Sequence, residues 1–125
     1  MMGNTVLIVD DAEFMRVMLR EIVCEMGLTV VGEAGDGEQA VRLYRELKPD
    51  LVALDITMPR LDGIGALKAI VAADPDANVI MISALGQKQK VLEAIKGGAR
   101  DFLVKPFDPD RVRETVSRCL DATIS

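Results

Sequence analysis

Five strand-length apolar runs, each followed by a segment with helical hydrophobic spacing, leave this chain few folds to choose from. The runs are Thr5–Asp10, Thr29–Ala34, Leu51–Asp55, Asn78–Ser83 and Asp101–Lys105. Most are continuously apolar rather than alternating in polarity, as strands covered on both faces are. Strands joined by short helical crossovers form a parallel sheet with right-handed connections. The expected class is therefore α/β. Five units suit a doubly wound sheet of order 2-1-3-4-5 better than a closed barrel of eight. The chain has 125 residues, which fits one domain over residues 1–125. A domain of this size buries roughly two-thirds of its unfolded surface and needs no staple to fold.

The segments between the runs read as amphipathic helices. The first, near Ala12–Met26, places Met15, Met18, Leu19, Ile22 and Met26 along one side. The second, Gly37–Leu47, carries Ala40, Tyr44 and Leu47 on one face. The third, Ile64–Ala73, carries Leu67, Ile70 and Val71 and stops before Pro75. The fourth, Gln87–Lys96, carries Val91, Leu92 and Ile95, with Gly97-Gly98 as its C-terminal stop. The fifth opens with Asp108 as N-cap and Pro109 at the first helical position, and turns Val112, Val116, Cys119 and Leu120 inward.

Several function classes drop out on composition. The chain has no histidine, which removes a Ser-His-Asp triad, a Cys-His pair and a His-ligated zinc. Cys24 and Cys119 form no CxxC and no zinc spacing, and are expected to be reduced core thiols. A net charge of −5 and 3% aromatic residues argue against a nucleic-acid surface. No stretch reaches the ~18 apolar residues of a membrane span, and the N-terminus lacks the pattern of a signal peptide. The expectation is a monomeric cytoplasmic protein with no nucleic-acid or membrane partner.

The chemistry gathers at the ends of the runs. The first ends in Asp10, with Asp11 next; the third ends in Asp55, the fourth in Ser83 and the fifth in Lys105. Ligands bind at the carboxyl edge of open α/β sheets, beside the point where strand order reverses. In order 2-1-3-4-5 the first and third strands flank that point, so Asp10, Asp11 and Asp55 converge there. Two like charges ~4 Å apart cost about 1 kcal/mol in water and roughly 4 at an effective dielectric near 20. Lys105 supplies one compensating charge, and a divalent ion supplies the rest. All-oxygen ligands suit Mg²⁺, Mn²⁺ or Ca²⁺, and a hydrated Mg²⁺ bridging to phosphate is favoured. Taken alone, the Asp10-Asp11 pair reads equally well as helix-start acids. The four strand-end groups together point to a site.

At these residues the sequence resembles the response-regulator receiver domain. "VLIVDD", "LVALDITMPRLDG", "VIMISA" and "DFLVKPF" occur in the family's order, and the resemblance covers essentially the whole chain. It implies a flavodoxin-like (βα)5 fold, whose strand order is the one reached above. Asp55 matches the phospho-accepting aspartate. Asp10 and Asp11 match the acidic pair that holds Mg²⁺, with Asp11 expected to coordinate directly and Asp10 through a water. Thr57 stands where the family gives a backbone carbonyl to the metal. Ser83 matches the switch hydroxyl, Lys105 the catalytic lysine and Phe102 the aromatic switch position. Lys105-Pro106 resembles the family's cis bond, which X-Pro sequences tolerate. Phe14 and Phe107 are expected to be packing residues, and Gly63 to serve the turn.

What the resemblance implies is a two-component phospho-switch. A histidine kinase donates a phosphoryl group to the Asp55 carboxylate, with Lys105 and Mg²⁺ stabilising the transferring group. Ser83 then bonds the new phosphoryl, and Phe102 swings inward. The chain ends at Ser125, just after the fifth helix, so a receiver without an output domain is expected. "DITMP", "SALGQ" and "RDFLVKPF" look closest to the chemotaxis branch, whose phosphorylated form binds a flagellar motor switch protein through the fourth helix, fifth strand and fifth helix. Lys88, Lys90, Val91, Ala94 and Phe102 are the candidates on that face. Thr57 replaces the Asn found in many receivers, which leaves the dephosphorylation rate and the phosphatase open. The alternatives are a phosphate sink or a receiver with a non-motor target, an unphosphorylated binding module, and an Asp-nucleophile phosphatase. Asp55-Ile56-Thr57 lacks the second acid of that last class.

Overall fold

Residues 4–124 are described by a computed structural model. Five strands, β1 (Thr5–Val9), β2 (Thr29–Ala34), β3 (Leu51–Asp55), β4 (Val79–Ser83) and β5 (Asp101–Val104), alternate with five helices. The helices are α1 (Glu13–Glu25), α2 (Gly37–Leu47), α3 (Gly63–Ala73), α4 (Lys88–Lys96) and α5 (Pro109–Ile124). All strand pairs are parallel and the order is β2-β1-β3-β4-β5, as the run pattern predicts.

The two-residue period of the strands divides the core into two layers. Leu7, Val9, Val52, Leu54, Val79 and Met81 face one side, where Ala40 and Tyr44 of α2, Leu67 and Ile70 of α3, and Ala94 of α4 cover them. Val6, Ile8, Leu51, Ala53, Ile80 and Ile82 face the other, under Leu19, Ile22 and Val23 of α1 and Val112, Val116 and Cys119 of α5. Full burial of each large aliphatic side chain contributes about 1.5–3 kcal/mol. The continuous apolar runs of β1, β3 and β4 therefore follow from being covered twice.

The element ends differ from the sequence reading by one residue in places. β1 stops at Val9 and β5 at Val104, so Asp10 and Lys105 lie just beyond their strands. Their N–H groups still donate across the sheet, Asp10 to the Ala34 carbonyl at 3.0 Å and Lys105 to that of Ser83 at 2.7 Å. Both side chains are thereby fixed at the carboxyl edge while released from the alternation of the strand. Asp108 caps α5 by accepting from the Arg111 N–H at 2.9 Å. Lys105-Pro106 is cis.

Five packing expectations are corrected. Leu47, Leu92 and Ile95 are exposed: Leu47 is the last residue of α2, and α4 turns Val91 and Ala94 onto the sheet instead. Phe14 is exposed on the first turn of α1, on the side away from the core. Cys119 is buried as expected, but Cys24 is exposed near the end of α1. Among the described residues, no helix is long and apolar enough to cross a membrane.

Candidate phosphorylation and metal site

Asp10 is 0% exposed, yet it carries a carboxylate. Its Oδ1 accepts from the Ala12 N–H at 2.9 Å, and its Oδ2 accepts from Lys105 Nζ at 3.0 Å. Lys105 Nζ also stands 3.4 Å from Asp55 Oδ1. Asp55 is buried at the end of β3, and Asp11 is exposed beside it. Carboxylate oxygens of Asp10, Asp11 and Asp55 all lie within 4.8 Å of one another. The juxtaposition read from the strand ends is thus present.

The charges do not balance within the cluster. Three carboxylates face one ammonium among the described residues. Burial pushes the Asp55 carboxyl up to about 6, and the Asp10 charge adds to the rise; Lys105 opposes it without cancelling it. Burial works against the Lys105 charge too, but its hydrogen bond to Asp10 and the Asp55 charge hold its pKa above the ordinary lysine value. An all-oxygen donor set with surplus negative charge, and no thiolate or imidazole, fits a hard divalent cation such as Mg²⁺.

Arg16, on α1, belongs to the support of this site. Its Nη1 donates to the Asp10 carbonyl at 2.6 Å, and its Nε pairs with Glu33 at 3.2 Å. Gly63 opens α3 against the end of β3. A Cβ there would stand 2.0 Å from the Asp55 carbonyl oxygen, so only glycine lets this helix start so close to the acidic strand end. Its N–H donates to the Ile56 carbonyl at 2.7 Å.

Ser83, the last residue of β4, is buried, and its Oγ donates to the Leu103 carbonyl at 3.4 Å. Phe102, on the neighbouring edge strand, is 42% exposed and points outward. Thr57 is exposed in the loop after β3, and its Oγ1 accepts from Gln87 Nε2 at 2.9 Å. Gln87 carried no signal in the sequence beyond its place at a helix start.

The outer face of α4 requires a correction. Lys88 and Lys90 are exposed as expected, but Val91 and Ala94 are buried, Ala94 at 0% exposure. They pack on the sheet and present no surface to a partner. Leu85, Leu92 and Ile95 are the exposed apolar residues, and with Phe102 they line a groove of about 350 Å³ between α4 and β5.

The pattern of the response regulator receiver domain matches residues 6–117. This chain belongs to the response regulator receiver family. Among receivers it is 56% identical to the chemotaxis protein CheY of Thermotoga maritima over 117 residues, 94% of this chain and 98% of that one. It is 52% identical to CheY of Bacillus subtilis, over 96% of this chain and all of that one. Protein CcdB of Bacillus subtilis is 56% identical over 92% of this chain and 96% of its own length. Of solved receivers, CheY from Borrelia burgdorferi, in a CheX-CheY-BeF3-Mg²⁺ complex, superimposes with a TM-score of 0.89. That match has 43% identity and covers 93% of this chain and 88% of that one.

Proposed function

We propose that this chain is a chemotaxis receiver, a single domain over residues 1–125, whose Asp55 takes a phosphoryl group from the phosphohistidine of a kinase. The observation that carries the reading is the meeting of Asp10, Asp11, Asp55 and Lys105 at one sheet edge. Its likeness to several proteins named CheY over nearly its whole length supports the chemotaxis role. The protein works in the cytoplasm, and it assists its own phosphorylation and dephosphorylation without a separate substrate.

Each residue has a part in the transfer. With its pKa near 6, Asp55 is a carboxylate at neutral pH and supplies the attacking oxygen. An O–P bond forms as the P–N bond to the donor imidazole breaks, and the imidazole takes up a proton on leaving. Lys105 Nζ, already 3.4 Å from Asp55, stabilises negative charge on the phosphoryl oxygens. Asp11, Asp55 and the Thr57 carbonyl would hold Mg²⁺ directly, and Asp10 would support it indirectly. When bound, Mg²⁺ neutralises charge on the transferring group and on the carboxylates. Ser83 turns from the Leu103 carbonyl to donate to the phosphoryl group, and Phe102 moves inward as that space opens. The Leu85, Leu92, Ile95 and Phe102 groove, flanked by Lys88 and Lys90, then receives a flagellar motor switch protein. A phosphatase that removes the phosphoryl group completes the partner set.

Intact-mass measurement with a small-molecule phosphodonor and Mg²⁺ tests this. One added phosphoryl group, absent from Asp55→Asn, is the expected result. An unchanged mass, or the same gain in Asp55→Asn, rules the site out. A second reading is a receiver that serves a non-motor target, since the relatives of equal identity do not all carry the CheY name. Retention of a motor switch protein on the phosphorylated chain distinguishes the two.

A further inference from the structure

Gln87 joins two loops that flank Asp55. Its Oε1 accepts from the Ala84 N–H at 2.7 Å, and its Nε2 donates to Thr57 Oγ1 at 2.9 Å. One carboxamide thus ties the loop after β3 to the turn after β4. Asp55 lies opposite Ile82 in the ladder, and the Ile56 N–H donates to the Ile82 carbonyl at 3.0 Å. Ser83 and Ala84 therefore follow at the same edge as the reacting carboxylate.

Three donors of this edge are already engaged. Lys105 is shared by Asp10 and Asp55, the Ser83 hydroxyl is held by the Leu103 carbonyl, and the Ala84 N–H is taken by Gln87. A phosphoryl group on Asp55 brings about −2 charge and three acceptor oxygens. Those oxygens need donors, and the Gln87 carbonyl oxygen is an acceptor occupying one of them. Two acceptors cannot share that N–H without weakening both bonds.

We propose that Gln87 is a latch: its carboxamide holds the Ala84 N–H and the Thr57 hydroxyl in the resting protein and must let go for the phosphorylated edge to form. The latch biases a two-state element by an amount set by the bonds it makes. Release frees the Ala84 N–H for the anion and the Thr57 hydroxyl at the mouth of the site. Because Gln87 is the N-cap residue of α4, release also unties the start of that helix from the two loops. Gln87 acts through Ala84 and Thr57 and is a positioning residue. The inference rests on the reading of Asp55 as the phosphorylated residue.

Titration of the chain with beryllofluoride and Mg²⁺, a stable mimic of the acyl phosphate, tests it. Gln87→Ala is expected to bind about 3- to 10-fold tighter than the parent, the fold-change of one net hydrogen bond. Gln87→Glu keeps an acceptor on the Ala84 N–H and adds a negative charge, so it is expected to bind more weakly than the parent. A residue that merely braced the loop would move both variants in one direction, and that outcome overturns the latch. Thr57→Ala, which cuts one arm only, is expected to gain less than Gln87→Ala and to add nothing to it in the double variant; full additivity overturns the latch. Equal or weaker binding by Gln87→Ala, with the parent binding normally, also overturns it. Failure of the parent itself to bind overturns the reading of the site and the latch with it.

Discussion

Lys105 Nζ stands 3.0 Å from Oδ2 of Asp10, a residue 95 positions away in sequence and wholly buried. The pair closes one side of the acidic cluster and leaves Asp55 only the longer contact at 3.4 Å. Of the two buried carboxylates Asp55 is therefore the less compensated, and that has measurable consequences.

Asp55→Asn is expected to stabilise the metal-free protein at pH 7.5. The carboxyl is raised from an ordinary 3.8 to about 6, so between those values the folded chain holds more protons than the unfolded one. The parent's stability then falls as pH rises through that window, and the loss persists above it. Such a shift corresponds to about 3 kcal/mol at full weight, and screening by water at the mouth of the cleft reduces this to about 1–2 kcal/mol. Denaturant melts with a chelator should show the variant's advantage at pH 7.5 and its near disappearance at pH 4. Equal stabilities at pH 7.5 count against the charge frustration.

Divalent-ion binding should offset the same frustration. Mg²⁺ at ten times its Kd is expected to stabilise the parent by about 1.4 kcal/mol, seen as a rise of a few degrees in Tm. Asp11→Ala removes the one exposed carboxylate of the cluster and should abolish the Mg²⁺-dependent rise. Calorimetric scans with and without the ion decide it, and an unaltered rise in the variant removes Asp11 from the ligand set.

Gly63→Ala should cost about 2 kcal/mol or more, because the added methyl meets backbone rather than a movable side chain. The damage falls where α3 abuts Asp55, so phosphodonor uptake should slow as well. Urea melts and intact-mass time courses read the two effects; a change below about 0.5 kcal/mol contradicts the close approach.

Phe102→Ala separates output from chemistry. With the ring 42% exposed, its truncation should cost less than about 1 kcal/mol and leave phosphoryl uptake unchanged. Capture of the motor switch protein by the phosphorylated form should fall at least several-fold. Unchanged capture in a pull-down removes Phe102 from the proposed face.

Sequence patterning revealed the sheet because its central strands are apolar on both faces, which is a signal each strand carries by itself. The strand-end carboxylates and Lys105 were legible for the same reason, since each breaks an apolar run at its last position. The rotation of α4 was not. Val91, Leu92, Ala94 and Ile95 spread apolar character around most of that helix, so the packing against β4 and α3, rather than spacing, decides that Val91 and Ala94 go in. Gln87 and Arg16 were missed because their partners, backbone groups, a loop hydroxyl and the Glu33 carboxylate, are brought near only by the fold. A polar residue at a helix start or on a helix flank looks the same in sequence whether it meets water or a carbonyl.

Asp55, Ser83 and Phe102 lie on β3, β4 and β5, three neighbours in the sheet. Adjacent strands are about 4.8 Å apart, so the acceptor and the outward ring are separated laterally by about 10 Å. In the proposed switch a message between them runs across the strands rather than along the chain, through Ser83, whose hydroxyl touches the backbone next to Phe102. The range of the device is thus set by two strand spacings. Neither a domain hinge nor a change in the buried layers is needed for it to report.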